Sequence, residues 1–119
     1  MRLVLAMSLA IASFTNINAA QAKFSNALDL HKSCSAQQGQ TAFVVEYTAC
    51  LHYILATADT WDQVRIDQGK RACVPDGYRD FEVKNLVSGY LAAHPETWHL
   101  PVVSVVQYAL IEAFPGCRN

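Results

Sequence analysis

Between Thr41 and Thr60 the apolar residues Phe43, Val44, Tyr47, Leu51, Ile54, Leu55 and Ala58 recur at three- and four-residue steps. That spacing lines one face of an α-helix of about five turns. Cys50 falls within the stripe, so its sulfur is expected to face inward. Upstream, Phe24, Ala27, Leu28 and His31 predict a shorter helix ending at Cys34, with the polar stretch 35–40 and its Gly39 as the break. Downstream, 61–77 reads as a long polar connection, and Val74-Pro75-Asp76-Gly77 within it has the composition of a tight turn. Val83, Leu86, Val87, Tyr90 and Leu91 mark a third helix, with Asp80 as its expected N-cap. His94-Pro95 ends it, because proline disfavours helical geometry in the residue before it. A fourth helix opens over 97–101, where Pro101 is tolerated in the first turn. Its stripe is Val102, Val103, Val106, Ala109, Leu110, Ala113 and Phe114, and Pro115-Gly116 stops it. The run Val-Val-Ser-Val-Val at 102–106 carries strand propensity, but the longer apolar period favours helix. The fold class expected is all-α, a small helical bundle of about four helices.

The first 22 residues stand apart from this pattern. Arg2 is followed by a charge-free apolar run from Leu3 to Phe14, then a short polar and small-residue stretch ending Ala20-Gln21-Ala22. This is the layout of a cleavable export signal with an A-x-A site. The run is too short for the roughly 20 residues that span a bilayer. Residues 1–22 are therefore read as a signal peptide cleaved after Ala22. Residues 23–119 are read as one domain, with no membrane contact after cleavage and a periplasmic location in a Gram-negative source. Nine basic residues against ten acidic ones form no basic stripe, which argues against a nucleic-acid partner.

Export places the four cysteines, Cys34, Cys50, Cys73 and Cys117, in an oxidising compartment. If the helices run alternately up and down, Cys73 and Cys117 meet at one end and Cys34 and Cys50 towards the other. Of the three possible connectivities, geometry then favours Cys34–Cys50 with Cys73–Cys117.

Sites of chemistry are scarce. The cysteines lack zinc-ligand spacing, and the histidines of His94-Pro95-Glu96-Thr97-Trp98-His99 are five apart with Pro95 in the glutamate position of H-E-x-x-H. Cys50 and His52 point different ways on one helix, and Asp59, Asp62 and Asp67 lack the glycine and glutamate of a calcium loop. No nucleotide-binding glycine loop is present. No catalytic, metal or cofactor site is expected, and the chain is read as a non-enzyme. Two surfaces are candidates for partner binding, since aromatic and arginine residues on loops anchor tight interfaces. One is the 59–72 connection with Asp59, Trp61, Asp62, Arg65, Asp67, Lys70 and Arg71. The other is the 94–99 turn with His94, Glu96, Trp98 and His99.

Three segments together carry a resemblance. They are Cys73-Val74-Pro75, then Val87-Ser88-Gly89-Tyr90-Leu91-Ala92-Ala93-His94-Pro95-Glu96, then Ala109-Leu110-Ile111-Glu112-Ala113-Phe114-Pro115-Gly116-Cys117. In this order they resemble the Rap/Tai-type immunity proteins of type VI secretion. That family has a C-x-P turn, a helix ending Y-L-x-x-H-P-E and a final A-L-x-x-x-F-P-C. Cys50-Leu51-His52-Tyr53-Ile54-Leu55-Ala56 with Asp59 is similar to the family's C-x-G-Y-I-x-G…D helix, with His52 and Ala56 in place of its glycines. Gly116 adds one residue before the last cysteine. The resemblance implies a small all-helical periplasmic protein, commonly a homodimer, that binds and sterically blocks a peptidoglycan amidase effector. Val105 is a candidate for a second apolar edge at such a dimer contact. The alternatives are a small periplasmic acid-stress chaperone and an envelope assembly factor.

Overall fold

The computed structural model describes residues 23–119. The signal peptide and its cleavage site lie outside the described residues. Four α-helices follow in order: α1 Ala27–Cys34, α2 Phe43–Asp67, α3 Asp80–Ala93 and α4 Val102–Ala113. Short 3-10 turns occupy Pro95–Thr97 and Pro115–Arg118. No strand occurs among the described residues, and the expected all-α bundle with two disulfides is what forms.

The starts of α1 and α3 have identifiable causes. Asn26 caps α1, its side-chain oxygen accepting the Asp29 N–H at 3.1 Å. The N–H groups of Ala27 and Leu28 donate to the carbonyls of Leu100 and Trp98, so the segment before α4 satisfies donors that α1 cannot. Phe24 lies ahead of the helix rather than in it, buried edge-on against Tyr53 with ring centroids 5.1 Å apart. Arg79, not Asp80, is the N-cap of α3, and the Glu82 carboxylate accepts the Arg79 N–H at 2.7 Å. Asp80 sits one position later, where its charge still favours the positive end of the helix.

The long helix departs most from expectation. Instead of stopping near Thr60, α2 continues through Asp67 and takes in the first part, 61–67, of what reads as a polar connection. The buried stripe Cys50, Ile54, Ala58 simply has Arg65 as its next fully buried member. A charged residue at a core position hides the helical period from any hydropathy pattern. Gly69, with φ of 75°, then turns the chain in the left-handed conformation that glycine adopts without steric cost.

Leu30, Cys50, Ile54, Val87, Leu91, Val105, Val106 and Leu110 form the sealed centre. Val105 therefore belongs to the interior and offers no second edge to a partner. Val44, in contrast, leaves the predicted stripe and is 72% exposed. Lys84 meets Tyr47 and Ser88 meets Cys50 where α3 packs on α2. Tyr78, just ahead of α3, packs edge-on against Phe114 at the end of α4, with ring centroids 4.8 Å apart.

The two disulfides are Cys34–Cys50 and Cys73–Cys117, as the spacing predicts. They close loops of 16 and 44 residues. Chain-entropy arguments assign them about 3 and about 4 kcal/mol. Against a net domain stability of about 5–15 kcal/mol, these are large contributions.

Candidate partner-binding surfaces

The last two turns of α2 sort the first candidate surface into residues that face inward and residues that face out. Arg65 is 5% exposed, and its guanidinium donates to three backbone carbonyls. Nε reaches Arg71 at 3.0 Å, and the terminal nitrogens reach Cys117 at 3.0 Å and Gly116 at 3.1 Å. One turn earlier, the Asp62 carboxylate accepts the N–H groups of Cys73 and Val74. Asp62 and Arg65 thus hold both chain segments that the Cys73–Cys117 bridge joins. Both charges are thus used within the fold.

Trp61 lies between these roles. It is half-buried, with the Arg65 guanidinium 5.6 Å from its ring. With Tyr53, Val64, Val103 and Gln107 it lines a mainly apolar groove of about 390 Å³ between α2 and α4. Asp59 and Asp67 are exposed on the helix surface, Asp67 accepting a hydrogen bond from Gln63 Nε2 at 2.8 Å. Lys70 and Arg71 are exposed on the segment that follows.

The second surface is a turn built as a clamp. His94 stacks on Tyr90 at 4.1 Å and places Nδ1 2.8 Å from Glu96 and Nε2 3.7 Å from Glu112 of α4. The His94 hydrogen bond, followed by one from its own backbone, holds the Glu96 carboxyl below its ordinary range. Burial, reinforced by Glu112 and Glu96, pushes the Tyr90 phenol up. Thr97 Oγ1 donates to the His94 carbonyl at 2.7 Å and tightens the turn. Trp98 is structural, with Nε1 donating to the Leu91 carbonyl at 2.8 Å and its ring stacked on His31 at 4.6 Å. Glu96 and His99 remain exposed.

No hydrogen bond, ion pair or ring contact among the described residues joins the two surfaces. No group of three or more His, Cys, Asp or Glu among them is arranged to hold a metal ion. No helix among them is long and apolar enough to cross a membrane.

A family profile described as Rap1a immunity proteins matches residues 26–117, which takes in all four helices and both disulfides. The chain belongs to the Rap1a immunity protein family. No curated protein and no solved structure matches it. Within this Rap1a protein, sequence reading missed Glu112, which closes the His94 clamp from α4. It also missed Lys84, a buried cation laid over Tyr47. Glu112 sits in the family-like Ala-Leu-Ile-Glu-Ala-Phe segment, so its i+18 distance from His94 could have been questioned only with the helix crossing in hand. Lys84 carried a usable signal, since it falls between Val83 and Val87 on the apolar side of α3.

Proposed function

We propose that this Rap1a protein is exported to the periplasm, where it binds a peptidoglycan amidase effector of type VI secretion and blocks it by occupying the substrate groove. It acts by occupancy, without turnover. The observation that carries the reading is the family match over 26–117, since immunity proteins protect by binding a cognate effector. The groove beside Trp61 and the exposed Glu96–His99 turn support it as places for the contact. Half-exposed Trp61 has the size and partial burial typical of an interface anchor. We further propose that two copies associate through α4, whose Tyr108 is 46% exposed. Sedimentation equilibrium tests this by returning the mass of one chain or two.

The experiment for the main reading mixes the exported protein with purified type VI amidases and follows release of peptide from isolated sacculi. Stoichiometric loss of cleavage for one amidase is the expected result. Trp61→Ala should weaken that inhibition by about tenfold or more, the scale of a central aromatic anchor. Sacculus cleavage by the protein itself, or unchanged hydrolysis with every amidase at molar excess, would overturn the proposal.

A further inference from the structure

Lys84 is 8% exposed, yet it forms no hydrogen bond or ion pair with any described residue. Its ammonium lies 4.9 Å from the centroid of the Tyr47 ring. No fully buried side-chain nitrogen among the described residues lacks a partner, so this ammonium still reaches solvent at the seam of α2 and α3. Burial pushes it below the ordinary lysine pKa, and no carboxylate offsets that effect. The nearest acids on its own helix are occupied or turned elsewhere. Glu82 is committed to the Arg79 N–H, and Asp80, one turn earlier, makes no ion pair with it.

The surroundings are apolar and outward-facing. Phe43 packs on Tyr47 with centroids 5.6 Å apart, and the adjoining Val44 is the most exposed large hydrophobic residue among those described. Three residues before Lys84 on the same side of α3, Phe81 is also exposed, with the Arg79 guanidinium 5.7 Å from its ring. Arg79, too, has no carboxylate partner among the described residues. Two cations without counter-ions therefore sit on an aromatic surface, a combination that selects negative charge and apolar contact together. A phosphate backbone is a poor match, because the chain as a whole is slightly acidic and offers no basic track.

We propose that Lys84, laid over Tyr47, anchors a carboxylate side chain carried next to an apolar residue on the surface of a partner protein. This rests on the immunity reading only in taking that partner to be the effector. Replacing the water at the ammonium by a carboxylate creates a partly desolvated, charge-assisted hydrogen bond while the neighbouring apolar group covers Phe43 and Val44.

The test needs no effector. The full exported chain is titrated with the capped dipeptide N-acetyl-glutamyl-phenylalanine amide, and with its glutaminyl counterpart, while the Tyr47 ring resonances are followed by NMR. The expected result is a saturable shift with the glutamyl probe and about tenfold weaker binding of the glutaminyl probe, the weight of one charge-assisted hydrogen bond. Lys84→Met should abolish the difference between the probes, and its preserved dispersion of core methyl resonances confirms that it folds. Tyr47→Leu should weaken both. Equal binding of the two probes, discrimination retained in Lys84→Met, or no shift at all overturns the proposal. Because no amidase takes part, such a result leaves the inhibitor reading standing, and failure to inhibit any amidase leaves this site standing.

Discussion

Replacing Arg65 by methionine isolates one device, because methionine keeps an unbranched stem of similar reach and removes only the guanidinium. The wild-type side chain makes three charge-assisted hydrogen bonds, to the carbonyls of Arg71, Gly116 and Cys117. Each such bond contributes roughly 1.5–3 kcal/mol where water cannot substitute. Arg71 and Gly116 are exposed, so water can take over much of their loss. Cys117 is 3% exposed, so its carbonyl is left unsatisfied at a cost of about 1–3 kcal/mol. Against this, methionine avoids the desolvation of a buried cation. The balance is a net loss of about 2–4 kcal/mol, with the remaining rim contacts adding the smaller part. For a domain of this length, each kcal/mol moves Tm by about 4–8 °C, so the midpoint should fall by about 10–25 °C. Urea and thermal unfolding followed by far-UV circular dichroism, under non-reducing conditions, provide the measurement. Arg65 and the Cys73–Cys117 bridge hold the same segments, so their effects should couple. The methionine variant should cost measurably less when Cys73 and Cys117 are both serine. A loss below about 0.5 kcal/mol in the oxidised protein would refute the account, since that is the level of an ordinary surface substitution.

Removing the larger bridge, by Cys73→Ser with Cys117→Ser, should cost about 4 kcal/mol against about 3 for the Cys34–Cys50 pair, an order readable from urea midpoints. Glu96→Gln should remove an acid-side step in stability. The folded Glu96 carboxyl is held below its unfolded value, so it stabilises the fold above about pH 4.3 and this is lost as pH falls through the lower folded pKa. Melting temperatures collected across the acid range should show that step in wild type and not in the variant. Lys84 runs in the opposite sense to Arg65. Its depressed pKa makes the charged form unfavourable in the fold, so wild-type stability should rise as pH climbs from the folded pKa towards about 10.4. Lys84→Met should be neutral or stabilising at neutral pH and should lack that rise, which urea titrations at neutral and alkaline pH would reveal.

The helices that were legible in the sequence are those whose buried faces are built from aliphatic residues. The α4 face through Val102, Val106, Ala109 and Leu110 is an unbroken three-four pattern, and it overrode the strand preference of its valines. The end of α2 was illegible because Arg65 occupies a core position, and a segment rich in charge and lacking aliphatic spacing reads as a loop. The same residue explains the partial reading of the candidate surface. Hydropathy treats Asp62 and Arg65 as solvent-facing, whereas their i, i+3 spacing puts both at the helix end where loose backbone groups need partners. The disulfide pairing was legible from the spacing of the four cysteines along the helices. The backbone grip of Asp62 and Arg65 also holds Cys73 and Cys117 together. Trp98 was readable only as a bulky aromatic in a turn. Its bond to the Leu91 carbonyl depends on a chain reversal that no local pattern encodes.

Arg65 lies 51 and 52 positions ahead of two of the carbonyls it holds. A chain that emerges N-terminus first, from a ribosome or through a translocon, can close the Cys34–Cys50 loop while its second half is still in transit. The far end of α2 must wait, its buried cation short of two partners, until Gly116 and Cys117 arrive. Assembly is thereby ordered in time: a local half forms first, and Gly116 and Cys117 act as the closing clasp for a helix made long before them.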